Sequence, residues 1–343
     1  MLRRSILVMA LIALTGFSTT ASAAWHAPGL GVDARSLTSA TVIDPLTVIA
    51  SDTVNAGSFA VQRVLCPDGM VALSGGIDMS NVSTMKVTSS APVFGGADER
   101  LLSRPDGSNP APFGWQATAL NEGASSAVFR VGVVCARLAG ASAMVASDTA
   151  PAGSFGTERV LCPAGQVAVG GGIDTENVLT MEISSSAPSF EGSEMRLIEQ
   201  SNGSHPAPIG WQASAVNRAA SSQTFKVGVV CAAIDGVTAV VSSDKVYAGS
   251  FGVEREVCPS GQAALGGGVD NFNVLTMQVS SSAPTFDRDE ARLISQGSGR
   301  GPAPNGWQVS SVNGEATDRM LKVATICSEV EYQVQLPLIT RDA

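Results

Sequence analysis

The chain is 343 residues long, carries a formal net charge of −9 and has only 15% charged residues. Nucleic acids and anionic membranes are bound through basic patches, which a chain of this balance lacks, so neither is expected as a partner. The low charge and the Gly- and Ser-rich composition suit an extracellular protein without naming a partner.

The first residues read as an export signal. Arg3 and Arg4 precede an apolar run from Ile6 to Leu14, and small residues lead to Ala21-Ser22-Ala23. That order describes a cleaved secretory signal at 1–23, and the apolar run is too short for a membrane span. Cleavage removes two arginines and no acid, taking the formal charge from −9 to −11. The expected product is secreted and extracellular, or periplasmic in a two-membrane host, with no membrane insertion.

Residues 24–46 form an N-terminal extension, and from there the chain repeats. Cys66, Cys162 and Cys258 are 96 residues apart, as are Cys135, Cys231 and Cys327, and Trp115, Trp211 and Trp307. Between Ser147–Cys231 and Ser243–Cys327, 48 of 85 aligned positions are identical without a gap. A fixed internal period sets the architecture before any single element is assigned. The repeats span 47–140, 141–236 and 237–332, with a C-terminal strand or tail at 333–343.

The middle copy gives the elements of one unit. Ala143–Ala146 reads as a strand leading into a Ser147-Asp148 turn. Strands are then expected at Ser154–Cys162, Gln166–Val169, Thr180–Ala187, Met195–Glu199, Trp211–Val216 and Phe225–Val230. Seven short strands separated by Gly, Pro, Asn and Ser clusters, with no amphipathic helix, predict an all-β fold: three tandem antiparallel sandwich or barrel-like units. After Cys327, the alternation of Val334, Leu336 and Leu338 resembles a strand that completes the last unit or pairs with the first.

Two cysteines per unit in an exported chain read as disulfides, and the repeat selects Cys66–Cys135, Cys162–Cys231 and Cys258–Cys327. Each closes a loop of roughly 70 residues, worth about 4 kcal/mol through the unfolded chain. A zinc site is not expected, because there is no C-x-x-C pair and only two histidines.

The other recurring positions carry a structural and a functional reading each. Trp115, Trp211 and Trp307 follow Pro-x-Pro-x-Gly and read as core residues beside the disulfides, or as platforms for sugar rings. Arg100, Arg196 and Arg292, with Arg63, Arg159 and Arg255 and Asp52, Asp148 and Asp244, read as internal ion pairs, or as contacts to a carboxylate or sugar hydroxyl. The Gly75-Gly76, Gly170–Gly172 and Gly266–Gly268 runs lack phosphate-loop spacing and mark bulges or close backbone approach. Asp78 with Asn81, and their equivalents Asp174 with Asn177 and Asp270 with Asn273, read as loop-bonding side chains, with calcium as the alternative. Asn121, Asn217 and Asn313 read as turn residues. No cofactor is expected.

Neither histidine recurs, so a repeated catalytic site is hard to assemble. The expected function is a non-enzymatic, multivalent binding or adhesion module on an extracellular surface, with glycan as a candidate ligand. The alternatives are a structural exoprotein and, below that, a hydrolase with one working site. The stretches Gly95–Ser108, Glu191–Ser204 and Asp287–Arg300 differ most between copies and are the expected place for copy-specific binding.

Overall fold

A computed structural model describes residues 39–333 apart from 96–99, 193–195 and 287–291. The signal peptide, most of the N-terminal extension and the Val334–Leu338 strand lie outside the described residues.

Each repeat supplies seven strands. The first gives β1 (Ile43–Val54), β2 (Ser58–Leu65), β3 (Val71–Met79), β4 (Met85–Val93), β5 (Gly107–Pro110), β6 (Gly114–Asn121) and β7 (Ala127–Arg137). The second gives β8 (Ser142–Ala150), β9 (Phe155–Leu161), β10 (Val167–Thr175), β11 (Met181–Ser189), β12 (Gly203–Pro206), β13 (Gly210–Asn217) and β14 (Gln223–Ala232). The third gives β15 (Thr238–Val246), β16 (Phe251–Val257), β17 (Gln262–Asn271), β18 (Met277–Thr285), β19 (Gly299–Gly301), β20 (Gly306–Asn313) and β21 (Arg319–Glu329).

Two expected elements differ. Ser147-Asp148 lies within β8 and is not a turn. The aspartate suits a strand whose outer side is only partly covered: β5 pairs with residues 142–145 alone, and the Asp148 carboxylate accepts from the Thr149 N–H at 2.7 Å. The expected strand at Met195–Glu199 is a single 3-10 turn, Leu197–Glu199. Its buried Leu197 packs into a cluster with Ala239, Val241 and Ala324 of the third unit.

The strands form three antiparallel seven-stranded sheets, and every sheet is shared between two repeats. The orders are β2-β6-β4-β10-β14-β8-β5, β9-β13-β11-β17-β21-β15-β12 and β16-β20-β18-β3-β7-β1-β19. Three strands come from one repeat, three from the next, and the short strand on the far edge again from the first. The third sheet joins repeat three to repeat one, so the ring closes around a pseudo-threefold axis.

Within a unit the two three-stranded halves face each other as a sandwich, which is why one bridge suffices to tie them. Cys66 follows β2 in one layer and Cys135 lies on β7 in the other, with Cα atoms 5.6 Å apart. Cys162–Cys231 and Cys258–Cys327 repeat the arrangement. The junctions between halves are narrow. A single residue pair carries each: Ser90 with Ile173, Ser186 with Val269 and Ser282 with Ile77.

The glycine runs lie inside strands and show both features expected of them. A register irregularity falls between Ala168 and Gly170 on β10, with equivalents on β3 and β17. A Cβ on Gly171 would stand 2.4 Å from Cγ of Trp211, and one on Gly172 would stand 2.2 Å from the Ser90 carbonyl oxygen across the seam. At the axis itself one copy differs. A Cβ on Gly170 would meet that of Ser74 at 2.5 Å, while the Ser74 hydroxyl donates to the Leu265 carbonyl at 2.6 Å. Two of the three copies must therefore be glycine there.

Position 86 shows the same constraint with charge. Its equivalents are Lys86, Glu182 and Gln278, and the Glu182 carboxylate accepts from Lys86 at 2.7 Å and from Gln278 at 2.5 Å. Three like charges could not meet this way. Burial pulls the Lys86 ammonium down, but the Glu182 and Glu122 carboxylates outweigh it and hold its pKa above the ordinary value.

Segments beside the first and last strands join repeat three to repeat one as well: Ile43 bridges Glu331 in parallel, and the Asp44 carboxylate accepts from the Gln333 N–H at 2.8 Å.

Candidate functional site

The tryptophans do not form a surface. Trp115, Trp211 and Trp307 are at most 1% exposed. Each indole N–H donates to a serine of the neighbouring strand in the same layer: Trp115 to Ser90 at 3.0 Å, Trp211 to Ser186 at 2.9 Å and Trp307 to Ser282 at 3.0 Å. The sugar-platform role is therefore excluded for these rings, which are core residues wedged against the glycines of the opposite layer.

Arg100, Arg196 and Arg292, read from the sequence as internal ion pairs or as ligand contacts, are ion-paired to neighbouring units. Arg100 reaches Asp174 at 2.5 Å, Arg196 pairs with Asp270, and Arg292 pairs with Asp78. In each case the second guanidinium nitrogen also donates to the same carboxylate, from Arg100 Nε at 3.1 Å for example. The aspartates are buried and fully engaged. Asp174 also accepts from the Ser89 hydroxyl at 2.8 Å and the Leu102 N–H at 3.2 Å, and the other two copies match. A buried carboxylate is tolerable only with such pairing. Arg100, Arg196 and Arg292 are thus clamps between units.

This also disposes of the Asp–Asn pairing as a ligand set. The Asp78 oxygens face Arg292, Ser281 and the Ile294 N–H, whereas the Asn81 side chain accepts from the Ser83 N–H at 3.2 Å. Asp52, Asp148 and Asp244 each hold the N–H of the following residue at 2.7 Å. Arg63 donates to Gln116 at 2.9 Å, and Arg159 to the Phe190 carbonyl at 2.9 Å. Asn121, Asn217 and Asn313 are buried turn hubs, Asn121 donating to Val54, Asn55 and Ser125 carbonyls and accepting from the Gly123 N–H.

What the fold leaves exposed is of two kinds. The first is repeated. Strands β2, β9 and β16 are the outer edges of the three sheets, each paired on one side only. Phe59, Phe155 and Phe251 occupy equivalent positions on them and are 38–47% exposed; Val61, Leu65, Leu161 and Val253 extend the rows.

The second occurs once. On the third unit, Phe272 and Met320 line an open groove of about 370 Å³ with Lys245, Asp318 and Arg319. Tyr247 and Phe272 are 63% and 60% exposed. The Lys245 ammonium sits 5.2 Å from the Tyr247 ring and Arg319 5.9 Å from the Phe272 ring. Lys245 pairs with Asp318 at 2.6 Å, and Arg319 with Glu315. The hydrogen bond between them raises the Lys245 pKa and lowers that of Asp318. Two cations are thus matched by two carboxylates, leaving a polar, charge-balanced rim around apolar rings.

Repeat-based reading passes over this groove because its residues do not recur. Tyr247 aligns with Asn55 and Pro151, Phe272 with Ser80 and Glu176, and Met320 with Val128 and Thr224. The signal that finds it is the opposite of repetition: aromatics at positions that hold no aromatic in the other copies.

No helix among the described residues is long and apolar enough to cross a membrane. Three structural disulfides suit an oxidising, extracellular-type environment. No protein-family model matches the chain, and no curated protein does. Among solved structures, a chain reported under "The Triple Jelly Roll Fold and Turret Assembly in an Archaeal Virus" aligns with 84% of this chain and 92% of its own length. Its identity of 9% and TM-score of 0.18 give no basis for transferring fold or function.

Proposed function

We propose that the chain is a secreted, non-enzymatic, multivalent binding or adhesion protein acting on an extracellular surface. The observation that carries this reading is the threefold repetition of an exposed apolar row on the edge strands β2, β9 and β16. An unpaired edge with apolar side chains is a template for association. Three weak equivalent contacts gain avidity that one lacks. The non-catalytic part is supported by the fate of Asp78, Asp174 and Asp270, carboxylates shared by all copies and spent on clamps.

Glycan recognition no longer rests on the tryptophans. It rests on Tyr247 and Phe272, whose rings offer stacking faces beside a charge-balanced hydrogen-bonding rim. The structural-exoprotein reading is favoured by a different observation, the closed ring of clamped units.

Binding of the mature protein to whole cell surfaces and to a glycan array tests these readings. Replacing Phe59, Phe155 and Phe251 together by serine is expected to reduce surface binding by about 100-fold or more, and each single replacement far less. Equal losses from single and triple variants contradict multivalency. Absence of binding by the unaltered protein to any surface leaves the structural reading standing instead.

A further inference from the structure

We infer that the seam between the third and first units binds a carboxylate group from solution, held by Arg130 and the hydroxyls of Ser51 and Ser298. The three seams repeat one construction with different side chains, so each is a control for the others. A cation on the seventh strand of one unit lies opposite a serine on its first strand: Lys226 with Ser147, Lys322 with Ser243 and Arg130 with Ser51. A loop residue of the neighbouring unit meets that serine's hydroxyl: Asp106, Asn202 or Ser298.

Where the loop residue is an aspartate, the site is complete. Asp106 accepts from the Ser147 hydroxyl at 2.6 Å and from the Lys226 ammonium at 3.1 Å. Lys226 and Arg100 are thus matched by two carboxylates, Asp106 and Asp174. At the second seam Asn202 donates to the Ser243 hydroxyl at 3.0 Å, and Lys322 donates to the Gln200 carbonyl. Burial lowers the Lys322 pKa against the pull of Asp270, which eases its lack of a second carboxylate.

The third seam has neither remedy. The Ser51 and Ser298 hydroxyls meet each other at 3.3 Å. Arg130 makes no hydrogen bond or ion pair among the described residues, and its Nε and Nη1 are buried. A guanidinium does not give up its proton. Asp78, opposite Arg130 on β3, is already committed to Arg292, Ser281 and the N–H groups of Met79 and Ile294. Two cations there share one carboxylate, and what is missing is the group that Asp106 supplies at the first seam. Both serines are exposed, so an acid reaches them from solvent. One of its oxygens then faces the hydroxyls and the other the Arg130 Nη2, as Asp106 divides its own between Ser147 and Lys226. Charge-assisted hydrogen bonds of this kind are stronger than neutral ones.

Titration of the intact, oxidised chain with sodium acetate against sodium chloride, at equal pH and ionic strength, tests the site through the arginine Nε–H resonances. Arg130→Gln identifies the Arg130 signal by its loss. The expected result is a saturable shift of that signal with acetate and none with chloride. Ser298→Asp supplies the carboxylate in place and suits the fold, because the first unit has Asp106 there. It is expected to raise the unfolding midpoint and to abolish the acetate response. No response, equal responses to the two salts, or an acetate response unchanged by Ser298→Asp overturns the site. The 1-O-methyl glycoside of glucuronic acid, titrated in place of acetate, separates two sources of the acid. Saturation at a lower concentration than acetate assigns it to a sugar, and saturation at a higher one to a small free acid; both orders support a carboxylate site.

Discussion

The seams between units and the groove on the third unit use the same side chains in opposite ways. At the seams, Arg196 and Asp270 are bound into a buried set of donors that occurs three times and joins two repeats. On the groove, Lys245–Asp318 and Arg319–Glu315 are surface pairs that occur once and leave two aromatic rings uncovered. What the copies share holds the ring together. What they do not share has two causes: the outer surface is free to differ, whereas the axis is obliged to. Lys86, Glu182 and Gln278 differ because three equal charges cannot meet, and Ser74 faces two glycines because only one side chain fits.

The largest effect should come from breaking a seam. Asp174→Ala removes the partner of Arg100 and orphans the Ser89 and Leu102 donors, at a cost of about 3–5 kcal/mol. Asp318→Ala, on the groove, should move the midpoint little, because its ion pair with Lys245 is solvent-exposed. Denaturant midpoints measure both, and equal costs would erase the contrast between the regions.

Gly171→Ala tests the packing that keeps the tryptophan inside. The new methyl would stand 2.4 Å from Trp211, so a loss of about 1–3 kcal/mol is expected in thermal unfolding. A neutral outcome would show that the layers can separate without penalty.

The third test is pH. Burial, reinforced by neighbouring acids, raises the carboxyl pKa of Glu158 and of Glu254 above the ordinary value. The folded chain then holds these protons to higher pH than the unfolded chain does. Stability therefore falls as pH rises from the ordinary carboxylate range through the raised folded values. The first unit already has Gln62 at this position, donating to the Ser51 carbonyl at 3.1 Å. Glu254→Gln should stabilise the protein by at most about 0.5 kcal/mol at pH 7, and not at a pH below the ordinary carboxylate range. The difference between unfolding midpoints at the two pH values checks the sign. The smallest stability effect should belong to Phe272→Ser, near zero in melting and visible only as lost glycan binding.

Much of the fold was legible because it is local. Strand alternation, glycine and proline breaks and paired cysteines all act within one 96-residue copy, and they marked most strands and the bridges. The Leu197–Glu199 turn was misread as a strand because its reason lies in the next unit, where Asp270 accepts the Ile198 N–H at 3.0 Å. The clamps were hidden for the same reason. Arg292 and Asp78 are 214 positions apart, and a repeat shows that both are kept without showing that they meet across copies. Of the candidate site, the tryptophans carry their core reading in the recurring sequence, while Tyr247 and Phe272 carry no such signal because they occur once.

The central claim is that the repeats are not separate domains, because every sheet is shared and the third unit closes on the first. Calorimetric unfolding of the intact, oxidised mature chain tests it most directly. One cooperative transition is expected, with calorimetric and van't Hoff enthalpies that agree. Three unit-sized transitions, each with its own midpoint, would contradict it.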